Sequence, residues 1–252
     1  MKGEKFLFQP ASLKGESPVP IDEKLRNRFL FFYILIIIIS FIPGILFEYY
    51  FIAVIWIQSK LYWVFFLLLP FNMVFLIYLT QISATIIAAL FIKIVNLIHK
   101  PKEGTFKRSI NDKDYLFWNL RNMIKKWPLY ITTSNPFPWF KNRFTLRFFG
   151  VKIGKHCICD NSWISSEFVS IGNNVILGMN ATLISFGIEQ EYFIIKKIII
   201  EDNVLIGAKC VLLPGTHIKC NCKLEAHSYT NHNDILKENS LYSGHPAKLK
   251  QT

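Results

Sequence analysis

Charge is scarce in this chain, and acidic charge is scarcer still. Only 18% of its 252 residues are Asp, Glu, Lys or Arg, and 17 acidic side chains stand against 29 basic ones, a formal net charge of +12. Between Phe29 and Ile98 charge all but vanishes, and Phe29–Phe47 carries none, broken only by Pro43 and Gly44. The stretch is too apolar for an ordinary soluble fold; a buried pair of core helices is the alternative, though no soluble domain in this chain is large enough to hide it. A small-residue cleavage site is also lacking, and the apolar run starts too late for a secretory signal peptide. The basic excess comes without any nucleic-acid motif, stacking platform or zinc knuckle, so anionic lipid explains it better than nucleic acid.

What is present divides the chain into four parts. Residues 1–28 form an N-terminal segment with Lys14, Lys24, Arg26 and Arg28 at its end. Residues 29–98 hold the apolar excess. Leu61–Leu79, interrupted by Pro70 and Asn72, runs on through Ile82–Ile98, where Lys93 can snorkel to an interface. Each long run suffices to cross a hydrocarbon core of about 30 Å. The expectation is two spanning helices, or up to four if Pro43 and Pro70 mark breaks. Lys100, Lys102, Lys107, Arg108 and Lys113 follow the last run, whereas the Gln58–Lys60 connection has one positive charge. Positive flanks at both ends predict a multi-pass protein of the cell membrane with both ends cytoplasmic.

Residues 99–150 read as interfacial. Leu116, Leu120, Met123 and Trp127 share one face of a helix, with Phe117 and Ile124 beside them, while Lys113, Arg121, Lys125 and Lys126 take other positions. Pro128 is expected to stop this helix. Such a basic amphipathic helix suits a lipid headgroup layer, or capping of the domain that follows. A second short basic-aromatic helix is expected over Arg143–Phe149, leading into Gly150.

Residues 151–252 carry a six-residue count. Ile153, Cys159, Ser165, Ile171, Leu177 and Leu183 fall in sixes, and the count resumes as Ile200, Ile206, Leu212, Ile218, Leu224 and Thr230. A smaller position follows at Cys157, Val169, Val175 and Ala181, then Val204, Cys210, Thr216, Cys222 and Ser228, with Trp163 the bulky exception. Neither a helix nor an alternating strand has this period, so the expectation is a three-sided parallel β-coil of about four turns. A coil this short cannot bury its apolar side well alone and is expected to need neighbouring subunits. The pairs Cys157/Cys159 and Cys220/Cys222 suggest a zinc site, but Cys157 and Cys222 fall three turns apart, about 14 Å at the strand spacing. Zinc–sulfur bonds of about 2.3 Å cannot bridge that gap, so no metal is expected there.

Three stretches carry a resemblance. Ile200–Gly215 looks like the hexapeptide-repeat acyltransferases, Asn239–Lys248 resembles that family's closing signature with His245 in place of Asn, and Leu146–Gly154 matches its lead-in. The order of membrane helices, basic Trp-bearing helix and coil is similar to the C-terminal region of poly-lysine-synthase-like peptide synthetases. The resemblance implies an α+β multidomain chain: transmembrane helices followed by a left-handed parallel β-helix, assembled as a homotrimer with acyl-CoA between neighbouring subunits.

The function this implies is a membrane-anchored acyltransferase, taking an acyl group from acetyl-CoA as co-substrate to a lipid-linked, glycan or peptide acceptor. Family members usually place a histidine base on a loop that interrupts the coil. Here the interruption, Ile184–Ile199, contains no histidine, and Ser185 or Phe186 stands where related members carry it. His227 and Glu189 are the catalytic candidates, with His232 and Glu191 beside them, brought together by a neighbouring subunit. Ala208 and Ala226, eighteen residues apart and so stacked, leave room for coenzyme A beside Lys209, and Lys248 could meet a phosphate. The alternative is a non-catalytic trimeric scaffold of the same fold. A carbonic-anhydrase-like activity would need a His-ligated zinc at the coil edges, and no His pair lies there.

Overall fold

The computed structural model describes residues 18–58, 60–137, 139–159, 161–189 and 192–250, with the side chains of 18–24 and 26 outside that description. Lys14, the side chains of Lys24 and Arg26, and Glu191 therefore lie outside the described residues. Helix α1 spans Pro18–Phe51 and widens into a π-helical stretch, Ile52–Gln58; α2 spans Tyr62–Ile98. Pro43 and Pro70 both sit inside these helices, so the prolines do not divide them into four. Asn27–Gln58 and Tyr62–Ile98 are long and apolar enough to cross a membrane by length and composition. Large side chains point away from the protein: Phe31, Trp63, Phe71 and Leu97 are 66%, 70%, 73% and 87% exposed. A buried core pair would not show this. Glu48, the one acidic residue of the apolar region, accepts a hydrogen bond from Asn72 Nδ2 at 2.8 Å.

Helix α3, Lys113–Thr133, starts at an Asp112 cap whose side chain accepts from the Tyr115 N–H at 3.1 Å. It does not stop at Pro128, which corrects the sequence expectation. Polar groups of α2 hold the extra turn: Gln81 Nε2 donates to the Ile131 carbonyl at 3.1 Å, and Asn135 Nδ2 donates to Gln81 Oε1. A second departure concerns its cations. Arg121 and Lys125 do not face outward; their side chains are 2% and 0% exposed, and both meet Glu167 of the coil. Arg121 Nε lies 2.8 Å from Glu167 Oε1, and Lys125 reaches the same oxygen. Burial alone would push the Glu167 carboxyl up, but the charges of Lys125 and Arg121 outweigh it and hold the carboxyl below its ordinary value.

The coil follows. One sheet stacks β2 (Lys152–Ile153), β4 (Val169–Ile171), β9 (Ile198–Ile200), β12 (His217–Ile218) and β14 (Ile235–Leu236), all parallel. A second stacks β5 (Ile176–Leu177), β10 (Leu205–Ile206), β13 (Lys223–Leu224) and β15 (Leu241–Ser243), with β16 (Lys248–Leu249) folding back antiparallel. The third holds β3 (Trp163–Ile164), β6 (Thr182–Leu183) and β11 (Val211–Leu212). The counted apolar positions all turn inward, and Leu183, Leu212, Ile218 and Leu224 are fully buried.

One edge departs from the count. Ile164, not Ser165, pairs with Leu183, so the edge after Cys159 is one residue short. The buried small residue there is Ser162, which leaves Trp163 facing outward, 47% exposed. The exception in the pattern is thus a phase shift, and the following corner restores the phase, since Ile153 still pairs eighteen residues on with Ile171. The open first turn is capped by the segment after α3. Asn142 and Arg143 donate to the carbonyls of Cys159 and Cys157, and Arg147 donates to Ile153 at 2.8 Å. At the other corners positive φ recurs at Asn174, Asn180, Asn203, Asn221, Asn233 and Asn239. Asn tolerates that left-handed conformation best among residues with a Cβ.

Candidate active site

The interruption of the coil is a hairpin arm. β7 (Phe186–Glu189) and β8 (Tyr192–Ile195) pair antiparallel, and β1 (Gly104–Lys107) adds a third strand to β8. Aromatic packing seats it: Phe193, 1% exposed, lies 4.3 Å from Trp118 and 5.1 Å from Tyr115 between ring centroids. Phe186 packs against Trp118 on α3. Successive residues of a strand face opposite ways, so Gly187 and Glu189 turn toward the later turns of the coil. A Cβ on Gly187 would come within 3.4 Å of His232 Cε1.

That face brings Glu189 and His232 together within one chain. Glu189 Oε1 lies 3.5 Å from His232 Nε2, with the carboxylate side chain 58% and the imidazole 32% exposed. His232 Nδ1 is buried and has no hydrogen-bond partner among the described residues. Lys196 Nζ donates to Asn233 Oδ1 at 2.7 Å and pins the same corner. Gly215, at φ +84°, makes room, since a Cβ there would fall 2.5 Å from Asn233 Oδ1. An imidazole oriented by a carboxylate, beside a protruding arm, can accept a proton from a hydroxyl or amine nucleophile.

The remaining predicted residues lie elsewhere. His227 is exposed at a different corner with φ +60°, its backbone N–H donating to the Ala208 carbonyl at 2.8 Å. Ala208 and Ala226 stack at that same corner, under Gly178 and Gly207, whose missing Cβ atoms let Ala208 N and Ala226 N approach. Lys209 sits there too, exposed, with φ +56°. Lys248 is exposed on the fold-back strand β16. The alanine corner and the His232 corner border the same short sheet, β3–β6–β11, on opposite sides. The structure therefore associates Glu189 with His232 and groups His227 with the alanines.

A register signal could have singled out His232. Leu183 pairs with Leu212, and Val211 bridges to Tyr229, so His232 occupies the column of Ser185 two turns later. A histidine thus stands in the column of the coil from which the arm springs.

The cysteines are unsuited to this chemistry. Cys157, Cys159, Cys210 and Cys222 are buried and none forms a disulfide, and burial pushes the Cys222 thiol up to about 11. On the outer surface Cys220 donates to Glu201 Oε2 at 3.1 Å, and His217 Nε2 meets Glu201 Oε1 at 2.7 Å. The bonds from Cys220 and His217 hold the Glu201 carboxyl low, while Glu201 pushes the Cys220 thiol up and away from nucleophilic form.

The repeats of the coil are matched among known proteins. Residues 168–190 and 197–229 match a family model described as the hexapeptide repeat of succinyl-transferase. YvoF of Bacillus subtilis (strain 168), named as a candidate acetyltransferase, is 28% identical over 126 residues, covering 48% of this chain and 72% of that protein. Among solved structures, a hexapeptide-repeat-containing acetyltransferase from Vibrio cholerae is 25% identical at a TM-score of 0.38, covering 40% of this chain and 62% of that one. A galactoside acetyltransferase in complex with coenzyme A is 21% identical at a TM-score of 0.38, covering 50% and 78%. This chain thus spans less than two thirds of the Vibrio protein. The C-terminal coil is a hexapeptide-repeat domain. Its repeats match the family model, and the likeness to YvoF is to a protein named as a candidate acetyltransferase.

Proposed function

We propose that the protein is a membrane-anchored acyltransferase that moves an acetyl group from acetyl-CoA to a hydroxyl or amine of a lipid-linked, glycan or peptide acceptor. The contact of His232 with Glu189, at the far end of the arm's first strand, carries this reading. His232 takes the acceptor's proton as the acceptor's lone pair attacks the thioester carbonyl. The tetrahedral adduct then collapses, the carbon–sulfur bond breaks, and the departing CoA thiolate recovers the proton from the imidazolium. Glu189 keeps the ring oriented and stabilises its positive form. Coenzyme A lies along the corner of Ala208 and Ala226, with Lys209 and Lys248 available to its phosphates. In a homotrimer this corner of one subunit meets the arm of the next across a left-handed coil, which explains why a stack of about four turns is stable. α1 and α2 cross the membrane and leave the coil on the cytoplasmic side, as the flanking cations require.

The test is acetyl-CoA binding by the purified protein and release of free thiol when hydroxyl- and amine-bearing acceptors are supplied. Turnover that disappears in His232→Gln supports the enzyme. The arm's lack of histidine favours a second reading, a non-catalytic scaffold, and binding without turnover over a broad acceptor set would select it.

A further inference from the structure

Two cavities share a wall between the helices and the coil. One of about 480 Å³ is bordered by Met123, Leu129 and Tyr130 of α3, by Trp163 and by Phe186 of the arm, with Lys126 among its lining residues. The other, of about 300 Å³, is bordered by Asn161, Ser162, Asn180 and Thr182 of the coil. Thr133, Lys141 and Trp163 line both, so the two form one cleft, apolar at one end and lined by amides and hydroxyls at the other.

Lys141 stands at the junction. It is half-buried, and burial pushes its ammonium down from its ordinary value. No ion pair among the described residues supplies it with a carboxylate. A cation taken partly out of water without a carboxylate partner gains more from an incoming anion than a solvated lysine would. Lys126 adds positive charge at the apolar end, its Nζ lying 5.8 Å from the Tyr33 ring of α1. The apolar wall belongs to α3, whose core is shared with the two long apolar helices.

We propose that this cleft holds one anionic amphiphile drawn from the membrane, a lipid phosphate. Its hydrocarbon lies along Met123, Leu129 and Trp163, its phosphate meets Lys141, and its hydroxylated or amide-bearing headgroup reaches Asn161, Asn180 and Thr182. The proposal rests on the membrane-anchored acyltransferase reading and narrows the acceptor to a lipid-linked one. Apolar burial supplies affinity for the tail, and the charged contact selects the phosphate.

The experiment uses the full chain in neutral detergent, without acetyl-CoA, and native mass spectrometry to record retained ligand. Dodecyl phosphate is the probe, with dodecanol and inorganic phosphate separating tail from head. Dodecyl phosphate should be retained about tenfold more tightly than either, the worth of one charge-assisted contact. Lys141→Gln should remove that advantage, Lys141→Arg should keep it, and Lys219→Gln at an exposed coil position should leave it unchanged. Trp163→Ala, at an outward strand position, is the second variant should Lys141→Gln unfold, and it should weaken retention too. Equal retention of dodecanol, no effect of the Lys141 and Trp163 substitutions, or an equal loss from Lys219→Gln overturns the proposal. His232→Gln should bind the probe normally, which separates the two readings. Lost probe retention with intact thiol release sinks the cleft alone, and unchanged thiol release in His232→Gln sinks the assigned base alone.

Discussion

Two histidines of the last turns differ in what their backbones ask of them. His227 holds φ +60°, a conformation Asn fills at most equivalent corners of this coil. His227→Asn should therefore raise the thermal midpoint slightly, with up to about 1 kcal/mol of relieved strain, and leave turnover unchanged. His232→Gln should lower kcat by about 10²–10⁴ with acetyl-CoA binding intact, the usual size of a general-base effect. Glu189→Gln should cost less, because the ring remains and loses only its orienting charge. If His227→Asn abolishes turnover instead, the assignment of the base reverses. At Cys222 the raised pKa gives a signed pH effect. The unfolded thiol ionises near 9.0 and the folded one at about 11, so the contribution is complete below 9.0 and is lost as pH rises toward 11. Cys222→Ala should flatten that decline in unfolding experiments between pH 9 and 11.

Among the elements, α3 is where sequence and structure part. Its helical period and its N-terminus are written locally, in Leu116, Leu120 and Met123 and in the Asp112 cap. The fate of Arg121 and Lys125 is not, because their partner Glu167 lies more than forty residues on, in another domain. Composition alone reads such lysines as a headgroup-facing surface. Pro128 misled for a similar reason: the groups that hold the following turn, Gln81 and Asn135, come from outside the helix. In the coil, by contrast, the counted inward positions outside one edge were legible, since a six-residue edge repeats its own instruction. The exception, Ser162 for Trp163, arose because the one-residue slip is repaired within the same turn. The arm's contact with His232 was legible only as a shared column, and finding it required pairing the turns across an interruption of no fixed length.

The buried triad offers a direct measurement at the same scale. Glu167→Gln leaves two buried cations uncompensated and should destabilise the protein by about 3–5 kcal/mol. Replacing all three with apolar residues of similar size should be near neutral. The carboxyl's folded pKa is depressed below its ordinary 4.5, so its contribution is present above that value and lost as pH falls through the folded pKa. Unfolding in detergent over pH 2–6, with and without Glu167→Gln, reads this out.

For the molecule as a whole, the exposed apolar girdle of α1 and α2 and the short coil make separate claims. A trimer predicts a native mass three times that of the 29.4 kDa chain after release from detergent, and a monomer at micromolar concentration would contradict the shared-cleft arrangement. Sidedness has its own test. A cysteine placed at exposed Lys237, with Cys220→Ser removing the half-buried thiol, should react with a membrane-impermeant maleimide only when the cytoplasmic face is opened to it.

The grip of Arg121 and Lys125 on Glu167 also sets a distance. Glu167 stands at the first level of the corner column and His232 at the fourth, three levels on, or about 14 Å at the strand spacing. Because α3 grasps the column at its lowest step, the coil cannot sway independently of the helices, and that interval behaves as a fixed gauge. In the proposed enzyme an acceptor tethered near the bottom would have to extend its reacting group by that height, and molecules too short to climb it would be refused by geometry before chemistry begins.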